Sequence, residues 1–224
     1  MLAGHYGVAF ALRSRVTGVK LVWLVIAVQA VDIVFFLLAL FGIETLVPVP
    51  TANGPLGMEL AFIPYTHSAV LTIVYAVIVV AIGALLRQRI AGLVLAAALA
   101  SHWLLDLFVH LQDLPITVSQ QTKVGFGLWQ HPPIAFALEI ALLAAGIWLL
   151  WRQTTDSRAR TWLVSTFVVL TIVQVIYVAT PAQPTVLRMA IGAELIYLIT
   201  ALLAWRVDRL SKPPEATSSR PVSG

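Results

Sequence analysis

Six stretches of the chain are apolar for long enough to cross a hydrocarbon core as helices, which takes roughly 20 residues at about 1.5 Å each. They fall near residues 20–43, 66–86, 90–111, 132–151, 161–180 and 185–206. Hydrophobic residues make up 60% of the sequence and charged residues 11%, and the mean hydropathy is +0.93, so a water-soluble globular domain is excluded. Inside a bilayer the backbone must satisfy its own polar groups, and unbroken apolar runs of this length do so as helices. The expected fold is therefore all-α, a polytopic transmembrane helical bundle of about six spanning helices. Residues 1–210 form a single transmembrane domain, and the polar tail over 211–224, SKPPEATSSRPVSG, reads as disordered and cytoplasmic.

The basic balance, with 14 Lys and Arg against 10 Asp and Glu, invites a nucleic-acid reading until the positions are inspected. Twelve of the 14 flank alternate ends of the spans: Arg13, Arg15 and Lys20, then Arg87 and Arg89, then Arg152, Arg158 and Arg160, then Arg206, Arg209, Lys212 and Arg220. Only Lys123 and Arg188 fall on the opposite side. Positive residues mark cytoplasmic loops, so both termini are expected in the cytoplasm. The partner implied by this charge pattern is the lipid bilayer, not nucleic acid. Trp23, Trp148, Trp151, Trp162 and Trp205 at the same ends, and Tyr65, Trp129 and Tyr177 at the others, fit the two aromatic belts. Cysteine is absent, which removes disulfides, thiolate metal sites and a Cys nucleophile.

One segment resists the simple count. Residues 2–12, LAGHYGVAFAL, are apolar but about half the length of a span, so this short N-terminal helix either lies along the interface or is half-inserted. The placement decides where His5 sits. The two long outer connections, 44–65 and 112–131, are rich in Gly, Pro, Gln and Thr and are candidate substrate-facing segments.

Ionisable side chains within spans are costly and need a partner or a purpose. Asp32 lies in the first span, His102 and Asp106 in the third, Glu139 in the fourth and Glu194 in the sixth, while His67 opens the second. Pro64 and Thr66 stand where that helix should start. Following the alternation of direction, Asp32, His67, His102, Asp106 and Glu139 all fall between mid-membrane and the outer surface. In SHWLLDLFVH, residues 101–110, four-residue spacing puts His102, Asp106 and His110 on one helical face. His and carboxylate together suit a divalent metal ion, with Zn, Mn and Mg the candidates, and Asp32, His67 and Glu139 can add ligands from neighbouring helices. The competing reading is interhelical hydrogen bonding without metal, the commoner role of a single intramembrane His. His131 and Trp129, in GFGLWQHPP, stand at the mouth of this site as candidate substrate contacts together with His110, with a solvated loop role the simpler account of His131. Glu194 reads as a buried acid paired with Arg188 or Tyr197.

GHYG at 4–7, Asp32, PYTHS at 64–68, SHWLLD at 101–106, HLQDLP at 110–115 and GLW at 127–129 occur in this order. Over residues 3–140 the chain resembles a group of uncharacterised bacterial inner-membrane proteins and, more distantly, the predicted membrane-bound metal-dependent hydrolases. The resemblance implies metal ligands at His5, Asp32, His67, His102 and Asp106. The hydrolase pattern usually has paired aspartates and a His-Arg before THS, where this chain has a single Asp32 and Tyr65; that departure speaks against a two-metal centre. The last two spans carry no matching motif.

The expected function is metal-dependent hydrolysis of a lipid-linked or amphiphilic ester, a phosphoester above all, with Glu139 or a spare carboxylate as general base. The alternative is non-enzymatic: a metal or proton transporter, or a packing role for the polar cluster.

Overall fold

The computed structural model describes residues 1–49, 54–181 and 185–211; the expected disordered tail beyond Ser211 lies outside the described residues. Among the described residues, seven α-helices make up the bundle: α1 (Ala3–Arg15), α2 (Leu21–Leu40), α3 (Ala69–Leu85), α4 (Arg89–Val109), α5 (Pro132–Gln153), α6 (Ser157–Ala179) and α7 (Val186–Leu210). All except α1 and α3 are long and apolar enough to cross a membrane. The 17 residues of α3 extend about 25 Å, just short of a typical core. The protein is thus an all-α membrane bundle.

Segment 2–12 is not a surface helix. From Ala3 to Phe10 every residue of α1 except Val8 is buried, and the helix packs against α5, α2 and α4. Glycine makes this possible. A Cβ on Gly7 would strike the carbonyl of Leu142, and one on Gly146 would strike the carbonyl of Gly7. Apolar side chains gain little by leaving lipid for a helix interface, so close approach through small residues is what holds membrane helices together.

A helix that begins inside a bundle leaves its first backbone N–H groups without water. Two neighbouring helices satisfy them. Glu139 Oε2 on α5 accepts from Leu2 at 2.8 Å and from Gly4 at 3.4 Å, and Gln174 Oε1 on α6 accepts from Ala3 at 3.4 Å. The negative charge of Glu139 also sits favourably at the positive end of the α1 dipole.

The basic end of the bundle is tied together by Asp208 of α7, which accepts from the backbone of Leu21 and Val22 at 2.9 Å each and lies 3.8 Å from Arg13. Four guanidinium–indole contacts occur at this end, Arg152 on Trp148, Arg160 on Trp151, Arg206 on Trp162 and Arg209 on Trp205.

At the opposite end, the connection after α2 forms a hairpin of β1 (Thr45–Pro48) and β2 (Met58–Phe62), in which Leu46 faces Leu60 and both are buried. Helix α3 starts later than the sequence suggests. Ser68 is its cap, accepting from the Leu71 N–H at 3.3 Å, because the Thr66 hydroxyl is engaged elsewhere. Two short strands, β3 (Leu114–Pro115) and β4 (Lys123–Val124), fold the second long connection back on itself. Gly127 has a φ of 72°, which admits glycine without strain, and the double proline then opens α5.

Candidate metal centre

Asp32 is the twelfth residue of α2 and His102 the fourteenth of α4, so both stand about 17–20 Å from the basic end. The α1 N-terminus reaches the same level from within, and the PYTHS turn brings His67 down from the other side. Five side chains meet there. Nε2 of His102 lies 3.0 Å from Asp106 Oδ2 and 3.4 Å from Asp32 Oδ1. His67 Nε2 lies 3.3 Å from Asp32 Oδ1, and His5 Nε2 3.2 Å from Asp106 Oδ1. The amino nitrogen of Met1 also touches Asp106. His5 and His102 are stacked with ring centroids 4.0 Å apart. All of these residues are buried except Asp32, which is half-buried beside a cavity.

The protonation of the rings follows from their far nitrogens. His102 Nδ1 is 2.7 Å from the carbonyl of Val28, and a carbonyl only accepts, so Nδ1 carries the hydrogen. Thr66 Oγ1 spends its single hydrogen on Glu44 Oε2, so His67 Nδ1, 2.8 Å from that oxygen, must donate to it. Glu44 is fixed in turn by the backbone N–H groups of Tyr65 and Thr66 at 2.8 and 3.0 Å. His110 Nδ1 donates to Asp113 at 3.0 Å. A neutral imidazole held this way presents a bare lone pair at Nε2. When these rings are neutral, three such lone pairs face carboxylate oxygens, at 3.7 Å in the case of His110 and Asp106.

Acceptor against acceptor is repulsive unless positive charge lies between. Ring protons, the Met1 ammonium that touches Asp106 or a bound cation would supply it; Nε2 of His102 and both nitrogens of His5 have no well-directed hydrogen bond among the described residues. Ligands around one ion at about 2.0–2.2 Å are themselves separated by about 3.3 Å, close to the spacing seen. Two trios have their ligand atoms within 4.8 Å of one another, His5–His102–Asp106 and Asp32–His67–His102. They share His102 Nε2, and one lone pair serves one ion. The donor set can thus hold a metal ion, and the oriented rings of His67 and His102 carry the kind of outer hydrogen bond that metal-ligating histidines have.

The remaining sequence candidates are placed differently. Glu139 is buried but accepts from the α1 backbone. Trp129 packs on His110, centroids 4.1 Å apart, and both line the cavity. His131 is exposed and enters the α5 start through its main chain. Glu194 pairs with neither Arg188 nor Tyr197: the Tyr197 hydroxyl donates to Asp32 Oδ2 at 3.3 Å, and Glu194 Oε1 has no hydrogen-bond partner among the described residues. Glu44, Asp113 and the Val28 carbonyl were not among the candidates. The HLQD spacing signals Asp113; nothing local signals the other two.

A cavity of about 380 Å³ adjoins the cluster, bounded by α2, β2, α6 and α7 and reached by Asp32, His67, Asp106 and His110. Comparison of the chain with family models gave no match, and comparison with curated proteins and with solved structures gave none either.

Proposed function

We propose that the protein is a membrane-embedded, single-metal hydrolase of an amphiphilic phosphoester, related to the membrane-bound metal-dependent hydrolases that its motifs resemble. The observation that carries the reading is the set of oriented imidazole lone pairs facing two carboxylates beside a cavity. His67, His102, Asp32 and Asp106 are the ligand set, with His5 completing it from α1. Three neutral imidazoles in reach favour Zn²⁺, Mn²⁺ or Fe²⁺ over Mg²⁺, which prefers oxygen and water. When bound, such an ion supplies Lewis-acid polarisation of a phosphoryl oxygen and an activated water.

The chain's own groups do the rest. His110, backed by Asp113 and open to the cavity, is placed to take and return a proton at Nε2. Glu139 is better suited to a positioning role than to the general-base role its sequence position suggests, because the N–H groups of Leu2 and Gly4 already engage its carboxylate. The apolar helices around the cluster keep bulk water from it. The charge asymmetry supports an orientation with both termini cytoplasmic in a bacterial inner membrane, which puts the cavity in the outer half.

Metal analysis of the purified protein tests the reading. About one equivalent of Zn, Mn or Fe, lost in His102→Ala, together with hydrolysis of an alkyl phosphoester that chelation stops, is the expected result. A metal-free protein of unchanged stability overturns it in favour of helix packing.

A further inference from the structure

The cavity extends well past the cluster, along the outer half of α7. Arg188 lies on its wall nine residues before Tyr197, about 13 Å along the helix, and Tyr197 holds Asp32. Arg188 is the one Lys or Arg among the described residues that line the cavity, and no described carboxylate is within ion-pair distance of it. The walls are largely apolar, with Phe35 and Phe36 of α2, Ile176 of α6, and Met189 and Ile196 of α7, and Tyr177 and Thr180 also line them. One wall position has no side chain. A Cβ on Gly192 would meet nothing within 4 Å, so the chain leaves space there that a larger residue would enter without displacing a neighbour.

We infer that this cavity binds an anionic amphiphile with a single apolar chain, its phosphorylated headgroup lying between the metal centre and Arg188 and its chain against the α2–α6–α7 wall. The inference deepens the hydrolase reading and rests on it for the chemistry at the floor. Three observations select this class. A guanidinium at the rim of a low-dielectric cleft recognises phosphate through its planar donors, whereas a neutral or cationic headgroup gains nothing from it. The apolar wall requires a hydrocarbon portion. The volume, about 380 Å³, lies at the small end of ligand pockets, which run to about 300–1,000 Å³, and suits a headgroup with one chain.

The test uses the full chain in phosphatidylcholine nanodiscs, with metal content recorded for every preparation and equilibrium binding measured for radiolabelled dodecyl phosphate, dodecanol and glycerol phosphate. Saturable binding of one dodecyl phosphate per chain is expected, with dodecanol and glycerol phosphate each at least tenfold weaker. Arg188→Gln, at an exposed side chain, should lower dodecyl phosphate binding about tenfold, to the level of dodecanol. Gly192→Leu should lower it by a similar factor while glycerol phosphate is unaffected. Equal binding of dodecyl phosphate and dodecanol, or no effect of either substitution, overturns the inference. If metal is bound at full stoichiometry and the alkyl phosphate is not, the substrate class falls and the hydrolase reading survives. If the alkyl phosphate binds with the stated dependence on Arg188 and Gly192 in a protein that holds no metal, the cavity assignment stands and the hydrolase reading falls.

Discussion

The histidines at the two edges of the cluster are held in opposite ways. His67 is oriented by a hydrogen-bonded relay, Glu44 to Thr66 to the ring, most of it contributed by adjacent residues of one turn. His5 has no well-directed hydrogen bond at either nitrogen among the described residues and is placed by the docking of a whole helix, through the contact of Gly7 with Gly146 and the capping of α1 by Glu139. The difference teaches that the outer edge is preorganised by local polar chemistry and the inner edge by tertiary packing. The first should tolerate distant changes and the second should not.

The largest expected effect comes from breaking the packing-held edge. Gly146→Leu drives a side chain into the Gly7 carbonyl, and α1 cannot retreat by rotamer adjustment because the clash is with backbone. Overpacking costs about 1–3 kcal/mol, and an undocked α1 strands Glu139, Gln174 and Asp106 without their partners, at about 1–3 kcal/mol for each buried group left unsatisfied. The variant should lose its thermal transition in detergent or shift it down by many degrees, and lose metal. An unchanged transition would mean that α1 is not an internal helix.

Next comes His102→Ala, which removes the lone pair shared by both trios. Stoichiometric metal binding should disappear while the helical circular dichroism is kept. Retention of the parent's metal content would sink the ligand assignment for SHWLLDLFVH and leave helix packing as the reason for its polar face.

How much of this was legible in the sequence follows the same division. Apolar run length dictates helices in a bilayer, so the all-α bundle could be read directly, and the four-residue spacing of His102, Asp106 and His110 fixes their shared face without any tertiary knowledge. His67 and Asp32 could be placed at compatible depth because depth in a spanning helix is only a residue count. What could not be read depends on contacts between distant segments. Glu44 follows Ile43 in a loop with no periodicity to mark its carboxylate as the anchor of the PYTHS turn. Asp208 looks like one more charge in a basic tail, yet it closes the α2 N-terminus. The placement of residues 2–12 stayed open because eleven apolar residues fit an interface as well as an interior, and the two glycines that decide it are 139 positions apart.

A milder change addresses the relay-held edge. Glu44→Gln keeps shape and most hydrogen bonds but removes the charge that fixes the Thr66 hydroxyl and, through it, the His67 tautomer. Loss of such an outer partner typically weakens metal binding about 10–100-fold. Competition with a metal-chelating dye should show that drop with little change in the melting transition. If Glu44→Gln instead destabilises the protein as much as Gly146→Leu does, the two edges are not held differently and the contrast between them fails.

The smallest effect belongs to His131, whose proximity in sequence to Trp129 makes it look like part of the site. Its ring is exposed, and its contribution to the start of α5 is made by its carbonyl, which accepts from Ile134 at 2.9 Å and Ala135 at 3.0 Å. Alanine keeps that carbonyl. Surface substitutions of this kind usually fall within about 0.5 kcal/mol, so His131→Ala should match the parent in melting temperature and metal content. It is therefore the control that separates general histidine loss from loss of an oriented lone pair. A drop in metal content here, comparable to that of Glu44→Gln, would show that the loop before α5 folds over the cluster in solution and brings His131 to the site.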